Sequence, residues 1–360
     1  MAVEPDPFQA SEWQGAALSA RVAAARARAV ARRTGAIADL RLDDDGRLTE
    51  RIRFEVTSRL RTLVETTARD LLRQVERLTA DSDGAGPMMT PGDVFQRLRQ
   101  AGCLGDPELM TELLAQVRQT LLAEGLPIDT LAGDAPSLLV RLTEAPDRIV
   151  AAAARGVLIA EGRVRVAGLE GEAVALPAEQ HHRLVWMIAA VLRQGDEPAC
   201  DLARDRALAQ AAERVLAAQD AGDRPLAATL KLAAAIDARA VELPELLIES
   251  LSDRQLGLFI ALITHACGID VDLVRDIVLE PEGDRLWLVL RALDMDRATI
   301  ARIGWALCEA DGRRDVEGFA DAVEAIMAVS PEDARHAIAS LRLPRAFREA
   351  MERLEGVERR

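Results

Sequence analysis

Apolar positions recur three and four residues apart along most of the 360-residue chain, the spacing that gives an α-helix one face to bury. The longest run covers residues 48–79. There Ile52, Val56, Leu60, Leu63, Val64, Leu71, Val75 and Leu78 form one continuous stripe. Such a stripe must meet another helix, from the downstream chain or from a second copy, so residues 48–79 are a candidate homodimer seam. Shorter helices follow at intervals of roughly 15 to 25 residues. Pro107 opens one that Gly125 closes, and Pro136 and Pro146 open two more, proline favouring the first helical turn and glycine the exit. Further helices are predicted over 177–194, 198–220, 223–240 and 252–267. In the last of these Leu256, Phe259, Ile260 and Ile263 share a face and Gly268 is the stop. Leu286, Val289, Leu290 and Leu293 repeat the pattern, as do Ile300, Ile303 and Leu307. Ser330 before Pro331 is a helix cap. Only GRVRVAGLEGEAVAL, 162–176, offers a hairpin, and its glycines fit an irregular loop equally well. The predicted class is all-α: an irregular α-solenoid of stacked antiparallel helix pairs behind a long N-terminal helical segment.

The best linker is DSDGAGPMMTPGD, residues 81–93, dense in Gly, Pro and small polar side chains. It divides an N-terminal helical arm and long helix, 1–80, from a helical subdomain, 94–176, and a helical-repeat domain, 177–360. Within the arm, residues 9–33 are Ala-rich and include RVAAARARAVARR. Arg21, Arg28 and Arg32 share one face, and the opposite face is mostly Ala, too little apolar area for firm membrane docking. A solvated or self-packing arm is the simpler expectation, with nucleic acid or another anionic partner as the alternative.

Composition narrows the function. Apolar residues are 49% of the chain, with six Phe, four Trp and no Tyr, so the core is expected to be small-residue helix packing. The net charge is −14; residues 1–80 hold 14 Arg against 12 Asp plus Glu, so the acidity lies downstream. An acidic body argues against a long duplex footprint, which needs concentrated positive charge. Cys103, Cys200, Cys267 and Cys308 stand far apart, without the paired spacing of a zinc or redox motif. No secretion signal and no long apolar run is seen, so the expected location is the cytoplasm, without a membrane span.

The acidic stretch ACGIDVDLVRDIVLEPEGD, 266–284, raises the question of a metal site. A calcium loop started at Asp270 would need ligands or glycine where Val274, Arg275 and Pro281 stand; started at Asp294, it meets Ala298, Thr299 and Trp305. Both fail. Asp270, Asp272, Asp294 and Asp296 read instead as helix caps, which accept hydrogen bonds from free amides and complement the positive helix end. His181 and His182 are adjacent and therefore point about 100° apart on a helix, while His265 and Cys267 also fall on different faces. Lys231, the chain's single lysine, reads as an ordinary helix-surface residue, and no nucleophile elbow or phosphate-binding glycine motif occurs. No metal ligand, cofactor or catalytic residue is assigned. Trp186, Trp287 and Trp305 are expected in the core first and at a partner surface second. Arg275, Arg291 and Arg302 accompany them and could line a groove.

LFIALITHACGIDVDLVRDIVLEPEGDRLWLVLRALDMDRATIARIGWALCEADGR resembles the C-terminal signature of a bacterial family, domain of unknown function 2336: an apolar helix, a Gly-Ile turn, VDLVRDIV, an acidic-Gly break, a helix ending in RAL, and DRATIARI. LPAEQHHRLVWMIAAVLR looks like another family segment, and LTERIRFEVTSRLRTLVE is more loosely similar to its first helix. The likeness covers about two thirds of the chain. It implies a HEAT-like helical fold and no established activity. The leading expectation is a non-enzymatic scaffold that binds a protein partner in bacterial signalling or regulation. Nucleic-acid binding through an Arg-lined groove is the alternative, and a metal-dependent hydrolase with scattered carboxylates a third.

Overall fold

The structure, a computed structural model, describes residues 49–79, 89–127, 136–170, 176–194, 202–218 and 225–358. The Ala/Arg arm, most of the 81–93 linker and Cys200 lie outside the described residues. These fold into sixteen α-helices and short 3-10 turns, with no strand among them; the chain is all-α.

The described residues group into two compact units. One, residues 49–117 and 157–228, is built on α1 (Glu50–Thr79), α2 (Pro91–Gln100), α6 (Ala178–Arg193) and α7 (Leu202–Ala218). The long helix α1 packs against all three others, and α6 packs against α2 and α7. Its stripe is consumed there: Val56, Val64, Ala68 and Leu71 are almost completely buried, opposite Phe95 and Leu98 of α2 and the small Ala207, Ala211 and Ala212 of α7. The seam anticipated for a second copy at 48–79 is therefore covered by the chain itself. Because α7 offers alanines, α1 can approach it closely, the packing mode a core poor in aromatics requires.

The other unit takes residues 118–156 and 229–358. Chain order there gives the end of α3 (Pro107–Gly125), α4 (Leu138–Leu142), the start of α5 (Arg148–Glu170), most of α8 (Pro225–Ile236), α9 (Leu243–Ser252), α10 (Leu256–Cys267), α11 (Val271–Val278), α12 (Asp284–Ala292), α13 (Arg297–Ala310), α14 (Val316–Met327), α15 (Pro331–Ile338) and α16 (Arg345–Glu358). Helix α10 sits centrally, with Leu258 through Ile263 all buried, and packs on α9 and α11. The pairs α12–α15, α13–α14 and α9–α13 complete the unit. Gly304 lets α13 meet α14: a β-carbon there would collide with the Phe319 ring. Gly125, at the end of α3, lies against the Ala310 backbone carbonyl in the same way.

Several elements differ from the sequence expectations. Residues 162–170 continue α5 rather than forming a hairpin or loop. Gly156 and Gly162 both face open space, so each weakens the helix by only about 1 kcal/mol and does not break it. Neither Pro136 nor Pro146 opens its helix: Ser137 caps α4, its hydroxyl accepting the Val140 amide at 3.5 Å, and Asp147 precedes α5, its carboxylate accepting the Ile149 amide at 2.7 Å. Helices α2, α9, α14 and α16 have no counterpart in the predicted set, since a short apolar run does not reveal its own period.

The acidic residues of 270–296 act locally. Asp270 accepts the Asp272 amide at 3.1 Å at the start of α11, and Asp296 accepts the Thr299 amide at 2.8 Å at the start of α13. Asp272 stands in the first turn of α11 and pairs with Arg275 at 3.2 Å. Ser330 caps α15 through the Asp333 amide at 3.1 Å. Asp294 is different: at φ 60° it ends α12 rather than starting α13, its amide donating to the Arg291 carbonyl at 2.9 Å. The Thr299 hydroxyl and amide hold the Asp296 carboxyl below its ordinary value. Its charge-dependent stabilisation is thus complete above the unfolded carboxylate pKa and disappears as pH falls through the lowered folded one. Asp296→Ala should cost about 1 kcal/mol at neutral pH, and thermal melts of wild type and Asp296→Asn should converge in acid.

Candidate interaction surface

Most of the arginines near the anticipated groove have structural work inside the second unit. A helix leaves its last carbonyls without intrahelical partners and carries partial negative charge at that end. Arginines from elsewhere in the chain supply the missing donors. Arg342 Nε donates to the Cys267 carbonyl at the end of α10 at 2.8 Å, Arg314 Nη2 to Val278 at the end of α11 at 2.6 Å, and Arg335 Nε to Ala292 at the end of α12 at 3.1 Å. Arg254 Nε reaches Leu126, just past α3, at 2.8 Å. Arg291 serves two ends, donating to Val329 at 3.0 Å and Met295 at 3.2 Å. A planar guanidinium can satisfy two acceptors in fixed directions, which an ammonium cannot. That gives a physical use for arginine at these positions.

Beneath this lies a buried charge cluster. Arg285 Nε and Glu280 Oε2 pair at 2.7 Å with their side chains 4% and 1% exposed. Arg314 is equally enclosed; burial pushes its guanidinium down, while Asp311 and Glu280 oppose the shift. Arg313 holds Asp311 with two hydrogen bonds, 2.9 and 2.7 Å. The cluster lies at the ends of α11 and α13 and the start of α12, and it ties helix termini together rather than opening toward solvent.

The six residues singled out as a partner surface therefore separate. Trp287 is buried, its ring 4.7 Å from that of Phe319 and its indole against Gly283; with φ 69°, Gly283 also needs a backbone that glycine accepts most easily. Arg291 is buried on its carbonyls, and the Arg275 side chain is 11% exposed beside Asp272. Trp287 and Arg291 are thus taken up by packing and helix-end contacts, and Arg275 by its pair with Asp272. Trp186, on α6 of the first unit, is half-exposed, its indole N–H donating to His182 Nε2 at 3.2 Å.

Arg302 and Trp305 remain, one turn apart on α13. Trp305 is 60% exposed, unusual for the largest apolar side chain. Ala298, Arg302, Trp305 and Glu309 fall along one outward line of the helix, flanked by the partly buried Ala301 and Ala306. Among the described residues, neither the Arg302 nor the Glu309 side chain has a hydrogen bond or ion pair. Glu309 was missed in the sequence, where nothing distinguishes it from other helix-surface acids. The nearby reactive side chains are subdued: burial pushes the Cys267 thiol up to about 12, and raises Cys308 as well, the opposite of an activated thiolate. Exposed His265 contacts Asp237 at 2.9 Å. Among the described residues no three His, Cys, Asp or Glu side chains are grouped as metal ligands would be, and no helix is long and apolar enough to cross a membrane.

Residues 146–339, more than half of the chain, match the family described as uncharacterised protein conserved in bacteria (DUF2336). The chain belongs to that family. No curated protein and no solved structure matches it. The DUF2336 span contains the whole outward line of α13 and the buried Glu280–Arg285 pair; α1, α2 and α16 fall outside it.

Proposed function

We propose that this DUF2336 protein is a non-enzymatic helical-repeat scaffold of the bacterial cytoplasm that binds another protein, in signalling or regulation, through the outward face of α13. One observation carries the proposal: Trp305 is exposed beside Arg302 while Trp287 and Arg291, the same residue types on the neighbouring helix, are buried. Trp and Arg dominate the energetics of protein interfaces because they combine large contact area with directional polar groups. The nucleic-acid alternative has less support, because of the arginines expected to line a groove Arg291 is engaged with helix-end carbonyls and Arg275 pairs with Asp272.

Trp305→Ala should leave the thermal midpoint nearly unchanged, as expected for a surface position. It should weaken capture of a co-purifying protein by about 30-fold, the scale of an interface anchor worth about 2 kcal/mol. Trp186→Ala is the matched control. Undiminished capture by the Trp305 variant would remove α13 from the proposal.

A further inference from the structure

We infer that the outward line of α13 pairs with the same line on a second copy of this chain, antiparallel and across a two-fold axis beside Trp305. The inference rests on the reading of α13 as an interaction face, and names the occupant. Its basis is the order of side chains along the helix. Arg302, a cation with no ion pair among the described residues, comes first; Trp305 follows, and Glu309, an anion with no ion pair among them, closes the line. Seven residues separate the two charges, a rise of about 10.5 Å, and Trp305 stands within about 1 Å of their midpoint along the axis.

A two-fold interface must be self-complementary, since the same patch supplies both sides. A face bearing like charges at both ends would repel its copy. This one does the opposite. Turning a second helix end for end about the midpoint places each Arg302 opposite Glu309 of the second copy and brings the two indoles together at the axis. Ala301 and Ala306 flank the indole with small side chains, leaving room for the second copy's indole beside it. Two other exposed cations of the unit are matched within the chain: Arg297 pairs with Glu324 at 2.7 Å, and Arg345 with Glu349 at 2.7 Å. A single helix face is smaller than the roughly 800 Å² per partner of a standard stable interface. The pairing is therefore expected to be concentration-dependent and weakened by salt.

The test is sedimentation velocity on the full chain from low to high micromolar concentration, with wild type, Arg302→Glu, Glu309→Arg, and an equimolar mixture of the two variants. Wild type should shift from monomer to dimer with rising concentration. Each single reversal sets like charges against each other twice and should raise the dissociation constant at least tenfold. Mixing them restores both opposite-charge pairs, and a heterodimer should appear from two chains that do not self-associate. Circular dichroism melts matching wild type would establish that the exposed substitutions leave the fold intact. Wild type that stays monomeric throughout, dimers indifferent to the reversals, or a mixture without heterodimer would each overturn the inference. A monomeric chain whose captured protein is still lost on Trp305→Ala would overturn self-pairing yet keep the proposed function. Mutually rescued dimers with no other protein captured would support self-pairing and remove the separate partner.

Discussion

Glu280→Ala is expected to destabilise the folded chain by about 3–5 kcal/mol, the range for removing one partner of a buried ion pair. The glutamate is enclosed, and it is bound to an arginine that is enclosed as well. Removing its carboxylate strands the Arg285 charge away from water and also withdraws a favourable field from Arg314. Removing both charges should be far milder. Glu280→Leu combined with Arg285→Met replaces the pair with apolar side chains and eliminates the stranded ion, so most of the lost stability should return. Urea titrations of the Glu280→Ala variant and the double variant give the comparison. A single variant within 1 kcal/mol of wild type would show that the pair does not carry the role assigned to it.

Gly125→Ala is the second large effect, and its sign is informative. On an exposed helix, replacing glycine with alanine stabilises by up to about 1 kcal/mol. Here the new methyl would run into the Ala310 carbonyl, and a backbone group cannot swing aside as a side chain can. The ends of α3 and α13 would have to separate, at a cost of about 1–3 kcal/mol or more. Gly304→Ala supplies a contrast, because its obstacle is the outer edge of the Phe319 ring. That side chain can swing aside as a whole, at the expense of its contact with Trp287. Gly125→Ala should therefore lower the thermal midpoint more than Gly304→Ala does; the reverse order, or a stabilised Gly125 variant, would contradict the close approach.

The helical class was legible because 3.6-residue periodicity is a local property of the sequence. The α1 stripe announced its buried face residue by residue, but periodicity cannot say what covers that face; the next helix, α2, and the sequence-distant α6 and α7 do so. Glycine misled at 162 because its cost depends on surroundings: at 162 a helix merely runs through it, whereas at 125 and 304 two helices meet on it. Trp287 and Trp305 illustrate the harder limit. Both occupy helices with apolar neighbours, yet one lies under Phe319 and the other faces solvent. Likewise Arg291 and Arg302 look alike in sequence. Only the location of helix ends such as Val329 and Met295 distinguishes an internal donor from a surface cation.

The guanidinium links to helix ends also bear on how this half of the molecule comes apart. Stacked helices that touch only their sequence neighbours can unravel from one end, turn by turn. Here Arg342 is fastened 75 residues back at Cys267, and Arg254 is fastened 128 residues back at Leu126. Such long-span stitches resist piecemeal peeling, so loosening the last helices must also disturb segments laid down far earlier in the chain.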